Sequence, residues 1–340
     1  RGAIAPELLL GFNAAVEDNL ADRPSHHDHH HHHHHDHDHD DELTQGRLLI
    51  SAQNQAKISI FDIKDKALLE EFTLIESASA VYASPSYRYG YVIQRTADRV
   101  NVIDSGLSQE DHGDHKDDVI AAPLWMSFSA TNSRPTHFTG NTTQSVIFYD
   151  GNAATTTAAS VGVYTESDIA NNTAGTRLEY TTHMHGAAQG RGDYLISTVR
   201  DAATTSTLPD RVALYKANAG FFTEQTVFTE TCPGLHGSAQ NENQIAFGCT
   251  DGVLVITQNG DAFTAEKIAN PANFDTTKRV GTLLGSDDVM EFVGIAAGEF
   301  YAVNTSTNQL TAINWIDANT SPAPSALAYG FADGGELFVI

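Results

Sequence analysis

The chain is poor in the residues that support several common chemistries. Of 340 residues only two are cysteine, Cys232 and Cys249, and neither lies in a Cys-x-x-Cys spacing, which excludes zinc ribbons and thioredoxin-type motifs. Basic residues are scarce: 19 Lys and Arg stand against 43 Asp and Glu, for a net charge of −24. That balance argues against nucleic acid or an anionic membrane as partner and suits attraction of cations. No apolar run approaches the roughly 18 residues of a membrane span. HExxH, GxSxG, a Walker loop and a GxGxxG after a strand are all missing. Asp193, Asp210, Asp251 and Asp287 fall in predicted turns, where Asp is common for backbone reasons, and no residue is assigned a catalytic role.

Histidine is the exception. Residues Ser25 to Glu42 read SHHDHHHHHHHDHDHDDE and hold eleven of the seventeen histidines: His26, His27, His29, His30, His31, His32, His33, His34, His35, His37 and His39. Neutral imidazoles ligate Zn, Cu, Ni and Co, and interleaved carboxylates add oxygen donors. The run has no apolar face and is expected to be a mobile, multi-ligand arm of weak sites. An expression tag is ordinarily pure His at a terminus; this run is mixed with Asp and lies behind Glu7-Leu8-Leu9-Leu10. The arm carries six of the negative charges, so most of the acidity lies elsewhere.

Beyond the arm the pattern is almost entirely short strands. Arg47–Ser51, Lys57–Asp62, Gly90–Gln94, Arg99–Asp104, Ser145–Tyr149, Asp193–Ser197, Arg211–Lys216, Gly252–Thr257 and Phe300–Val303 are apolar bursts bounded by Gly, Asn, Asp or Ser. No long stretch has helical periodicity. The strands recur in units of roughly forty to fifty residues, the period of propeller blades. LHGSAQNENQIAFGCTDGVLVITQNG from Leu235 and VGTLLGSDDVMEFVGIAAGEFYAVNTST from Val280 show the unit most clearly: a small-residue strand, a turn, and two apolar strands. An all-β propeller of about seven blades is expected over 43–340, after an N-terminal segment 1–24 and the arm 25–42. The stretch 47–74 lacks a clear inner strand and Ala326–Ile340 offers only two, so a blade shared between the chain's ends would close the ring.

Aligning the repeats places His137 (PTHFTG), His185 (HMHGAA) and His236 (GLHGSA) at the start of the inner strand in three consecutive blades. Equivalent positions on neighbouring inner strands converge, so three imidazoles are expected to form a nitrogen site with a fourth position open. His183, two residues from His185, points to the same side if the strand is regular there. His112 and His115 sit in an acidic insertion, Gln109–Asp118, that interrupts the second blade; they are read either as a fourth ligand or second weaker site, or as a solvated loop. Cys232 and Cys249 flank a hairpin turning at Asn241-Glu242-Asn243, close enough for a disulfide, which would place the protein outside the cytosol. The first residues, Arg1 to Pro6, have no signal-peptide pattern, and the chain is read as a mature exported form.

An acidic His-rich arm ahead of a propeller with inner-strand histidines resembles the periplasmic zinc chaperones of the AztD type, accessory to a zinc ABC importer. The arm, the HGDH insertion, PTHF, THMHG and CPGLHG carry the likeness, which covers essentially the whole chain. It implies a metallochaperone, not an enzyme, that captures Zn2+ at more than one site in the periplasm and hands it to the importer's solute-binding protein. The arm would collect the ion and the propeller site hold it, with exchange between them intramolecular. Two alternatives stand beside this: a zinc-dependent propeller hydrolase of lactonase or esterase type, and a protein-interaction propeller whose arm buffers metal.

Overall fold

Apolar bursts separated by tight turns become antiparallel sheets of four strands each. The computed structural model describes residues 8–12 and 45–340, so the His/Asp-rich run lies outside the described residues. The chain divides into two compact units, Arg1–Ser129 and Ala130–Ile340.

In the first unit β1 (Leu8–Phe12), β2 (Arg47–Ser51), β3 (Lys57–Asp62) and β4 (Ala67–Thr73) form one sheet in that order. Where a strand from the chain's C-terminal end was expected to complete the first sheet, the fourth strand comes from the N-terminal segment 1–24. Leu8–Phe12 supplies the missing strand, pairing Leu8 with Ile50 and Phe12 with Arg47. The reason is local: Leu8-Leu9-Leu10-Gly11-Phe12 is itself a short apolar run, too brief to read as an element when separated from its partner by the arm. The next sheet holds β5 (Ala80–Ala83), β6 (Tyr89–Gln94) and β7 (Arg99–Asp104), with β10 (Leu124–Ala130) added beyond β7. Between β7 and β10 the acidic insertion forms its own hairpin, β8 (Leu107–Asp111) and β9 (Lys116–Ile120), with Asp111 opposite Lys116.

The second unit repeats a four-strand meander four times. Its sheets are β11 (Pro135–Gly140), β12 (Ser145–Tyr149), β13 (Ser160–Tyr164) and β14 (Thr176–Glu179); then β15 (Ala188–Arg191), β16 (Tyr194–Val199), β17 (Arg211–Asn218) and β18 (Phe221–Val227). Next come β19 (Ser238–Gln240), β20 (Gln244–Cys249), β21 (Gly252–Asn259) and β22 (Ala262–Ala269), and then β23 (Thr282–Leu284), β24 (Phe292–Ala296), β25 (Glu299–Asn304) and β26 (Gln309–Ala312). A hairpin, β27 (Gly330–Ala332) and β28 (Leu337–Val339), follows. The first strands β11, β15, β19 and β23 touch one another in succession, and a single parallel pairing, Arg177 with Phe221, joins the outer edges of the first two sheets. Within the second unit this is the blade arrangement of a propeller; among the described residues the two units together hold six four-strand groups, two of them joined into one eight-stranded sheet, with two separate hairpins.

Burial follows from that stacking. The second strands β6, β12 and β24 are buried at every position, because a sheet covers each face, and they read as unbroken apolar runs. The outer strands β4 and β22 are largely exposed and mix charged residues with partly buried ones. The cores accordingly lie between successive sheets: Phe148, Val161 and Leu195 fill one, Ile196, Phe247 and Leu254 the next, and Val255, Phe292 and Val303 the one after. One short helix, α1 (Glu166–Asn171), interrupts the β pattern between β13 and β14. It is closed at its start by a capping box in which Thr165 and Asp168 bond each other's backbone amides.

Candidate metal centre

Three of the predicted ligands meet at the first-strand ends of consecutive sheets in the second unit. His137 lies within β11, where a bulge between Pro135 and His137 interrupts the register with β12. His185 and His236 are in the segments just ahead of β15 and β19 rather than in the strands themselves. Each is followed by a glycine that the packing requires. A Cβ on Gly186 would lie 2.4 Å from the Phe148 ring, and Gly237, at φ +80°, lies against the backbone of Gly281. The backbone is fixed as well: His185 N–H donates to the Thr207 carbonyl at 2.9 Å and His236 N–H to the Gly248 carbonyl at 3.0 Å.

The ring nitrogens converge. His137 Nε2 lies 3.1 Å from His185 Nε2, which lies 3.2 Å from His236 Nε2. One ligand atom from each of the three rings falls within 4.8 Å of the others. The remaining nitrogens decide what that means. His236 Nδ1 is 2.7 Å from the Gly281 carbonyl, which only accepts, so Nδ1 carries the proton and donates. His185 Nδ1 donates in the same way to Asp150 Oδ2 at 2.8 Å, and that carboxylate is buried. In the neutral rings both Nε2 atoms are therefore bare lone pairs facing each other, a repulsive arrangement unless a cation lies between them. Around tetrahedral zinc with Zn–N near 2.0–2.1 Å, neighbouring nitrogens stand about 3.3 Å apart. The separations suit one shared ion, and an outward Nδ1–H held by carboxylate or carbonyl is the usual support of a ligating imidazole.

Burial holds His236 below the ordinary imidazole pKa, with the positive charge of Arg279 adding to the depression and the Gly281 carbonyl and the Asp150 carboxylate opposing it. A ring kept neutral in this way competes less with protons for the ion. Replacing Asp150 by asparagine should weaken zinc binding about 10- to 100-fold while leaving the fold intact. A competition titration of Asp150→Asn against a chromophoric chelator measures this, and an unchanged affinity would show that the carboxylate does not orient His185.

Asp150 is not evident from motif spacing, and Gly281, one repeat on from His236, acts through its backbone carbonyl. Both come from sheets adjacent to the ring they hold, and the signal for Asp150 was only an acid directly after the fully buried strand β12. His183 lies in residues 183–187, which are not strand, and it is not among the three histidines whose ligand atoms converge. Its carbonyl accepts from Arg200 Nη1 at 3.2 Å instead. His112 and His115 lie at the tip of the β8–β9 hairpin in the first unit. Their rings stack at 5.4 Å, and Asp117 Oδ2 sits 3.4 Å from His112 Nε2 and 3.6 Å from His115 Nε2. Cys232 and Cys249 are joined by a disulfide with a Cα–Cα distance of 4.9 Å.

Over 255 residues the sequence is 25% identical to the zinc chaperone AztD of Citrobacter koseri, a match covering 75% of this chain and 58% of that protein. The crystal structure of Citrobacter koseri AztD superposes with a TM-score of 0.67 at 24% identity, covering 78% of this chain and 69% of that one. The chain resembles AztD in sequence and fold. Apo AztD from the same organism gives a TM-score of 0.66 at 24% identity, over 78% of this chain and 70% of that one. A chain of the Mitotic Checkpoint Complex matches in fold alone, at a TM-score of 0.52 and 11% identity, over 86% of this chain and 80% of that one. No family model matches the chain. The chain spans a little over half the length of the curated AztD that it matches.

Proposed function

We propose that this protein is a zinc-binding chaperone that captures Zn2+ at His137, His185 and His236 and passes it to the solute-binding protein of a zinc ABC importer in the periplasm. The observation that carries the reading is the pair of Nε2 lone pairs facing each other at 3.2 Å, each fixed by a donating Nδ1 on its far side. Similarity to AztD supports the same assignment, and the proposed role is binding and transfer, not turnover. The disulfide supports an oxidising compartment. Among the described residues no helix is long and apolar enough to cross a membrane. The net charge of −24 draws cations to the surface.

In this reading the arm, with its eleven histidines, collects zinc through many weak and interchangeable modes, and the triad holds it in fixed geometry. The His112, His115 and Asp117 group is proposed as a further weak site.

The test is a zinc titration against a competing chelator, on the intact chain, on a form lacking residues 26–39 and on the triple variant His137→Ala, His185→Ala, His236→Ala. The deletion only shortens a connection whose ends are paired at Phe12 and Arg47. One tight site should survive it while the arm's weaker ones disappear, and the triple variant should lose the tight site and keep the arm's weak ones. Loss of all tight binding with the arm would refute the triad as the holding site. Transfer is then read by mixing the zinc-loaded chain with the apo solute-binding protein and following zinc on each after separation.

A further inference from the structure

We infer that the cleft beside His236 binds a small monocarboxylate, one oxygen of which completes the coordination of the ion held by His137, His185 and His236 while the other pairs with Arg279. This deepens the zinc-site reading above and rests on it.

The first observation is a cavity. A cleft of about 780 Å³ opens beside His236, the one member of the triad that lines it, together with Arg279, Thr282, Phe300, Trp315 and Tyr329. That volume is in the range of small-molecule sites, and the lining combines a cationic group with an apolar, aromatic wall.

The second observation is charge. Lys278, at the same cleft, is neutralised by Glu299 at 3.0 Å. Arg279 is different: among the described residues it pairs with no carboxylate, and its Nη1 donates to the Gly234 carbonyl at 3.0 Å. Its side chain stands beside the His236 ring, since a Cβ placed on Gly281 would lie 3.7 Å from Arg279 Nε and 3.9 Å from His236 Nδ1. Three neutral imidazoles bring no charge to offset a dication. Asp150 supplies one negative charge through His185, and Arg279 cancels it. A divalent ion here would therefore keep its full excess charge in a partly desolvated site, next to a guanidinium that repels it. Such excess is costly away from bulk water.

An anion bridging the two cations removes the excess. Carboxylate has the required shape: one oxygen donates a lone pair to zinc, and the other accepts from the guanidinium. Phosphate would meet the charge requirement too, but the wall formed by Phe300 and Trp315 favours a ligand with an apolar body behind a single acid group. The site would thus hold zinc most tightly as a ternary complex, and loss of the carboxylate would reopen one coordination position for an incoming ligand.

The experiment uses the full chain loaded with one equivalent of Co2+, whose visible bands report coordination, with the triple-histidine variant as the subtraction. Butyrate is the probe and butyramide its neutral control. Expected is a saturable butyrate-dependent change in the triad's bands, absent with butyramide. The butyrate affinity should fall roughly tenfold in Arg279→Gln and largely recover in Arg279→Lys, which keeps the charge. Triad-dependent bands that ignore butyrate, or equal butyrate affinities in wild type and Arg279→Gln, would overturn this inference and leave the zinc site standing. Bands that shift in Arg279→Gln before any butyrate is added, with no butyrate response in the wild type, would assign the carboxylate to the chain itself and overturn a small ligand. Absence of triad-dependent bands altogether would bring down the zinc-site reading with it.

Discussion

His185→Ala is expected to weaken zinc binding on the order of a thousandfold, beyond the 10- to 100-fold that loss of an outer partner costs. His185 is the ring common to both short contacts, 3.1 Å from His137 Nε2 and 3.2 Å from His236 Nε2, so its removal separates the other two donors from any shared neighbour. It also takes from the buried Asp150 carboxylate the imidazole N–H that reaches it at 2.8 Å. Leaving a buried acceptor short of a donor costs about 1–3 kcal/mol, so the zinc-free variant should unfold at lower denaturant than the zinc-free parent. The two effects separate cleanly: chelator competition reads the first, and urea unfolding in the presence of excess chelator reads the second. An affinity within threefold of the parent would exclude His185 as a ligand.

Replacing both Cys232 and Cys249 by alanine should lower the unfolding free energy by about 3 kcal/mol, the loop-closure contribution expected for cysteines 17 residues apart. Both sulfurs are fully buried in the core that Phe247, Ile245 and Leu235 build between two sheets, so no solvent gain offsets the loss. The bond also secures the approach to the metal centre. Thr250, next to Cys249, donates its N–H to the Pro233 carbonyl at 2.8 Å, and His236 lies three residues further on. A weaker secondary loss of zinc affinity should accompany the loss of stability. Urea unfolding of the double variant measures the first effect, and a change below about 1 kcal/mol would mean that the hydrogen-bonded turn holds the segment unaided.

Much of the fold was legible because of how propeller sheets stack. β2, β3, β7 and β12 fall on the residues predicted for them, since strands covered on one or both faces leave dense apolar bursts between turn residues. The histidine triad was legible for a related reason: the repeat carries equivalent positions to equivalent places, 48 and 51 residues apart. What the pattern missed was non-local or too short. β1 is separated from its partner by the arm, and α1 spans six residues, less than two turns, so only its capping pair Thr165 and Asp168 could have signalled it. β19 begins at Ser238, not at Leu235, because the positive φ of Gly237 breaks the extended run. Residues 183–187 ahead of β15 are not strand either, so the alternation expected to carry His183 to the side of His185 does not apply there. Asp150 sits on a neighbouring sheet with no repeat spacing to His185, and Gly281, the repeat counterpart of His236, acts through a backbone carbonyl that its residue type does not announce.

The pairing of β1 with β2 has a further consequence for the histidine run between them. With Phe12 held opposite Arg47, the two strands that flank the run in sequence are paired neighbours in one sheet. Loop-closure entropy grows only logarithmically, so doubling such a connection costs about 0.6 kcal/mol. Histidines can be added to the run, or lost from it, with hardly any effect on the stability of the sheets that anchor it. If the arm collects zinc as proposed, the number of ions the chain can gather is a dial that turns independently of its architecture.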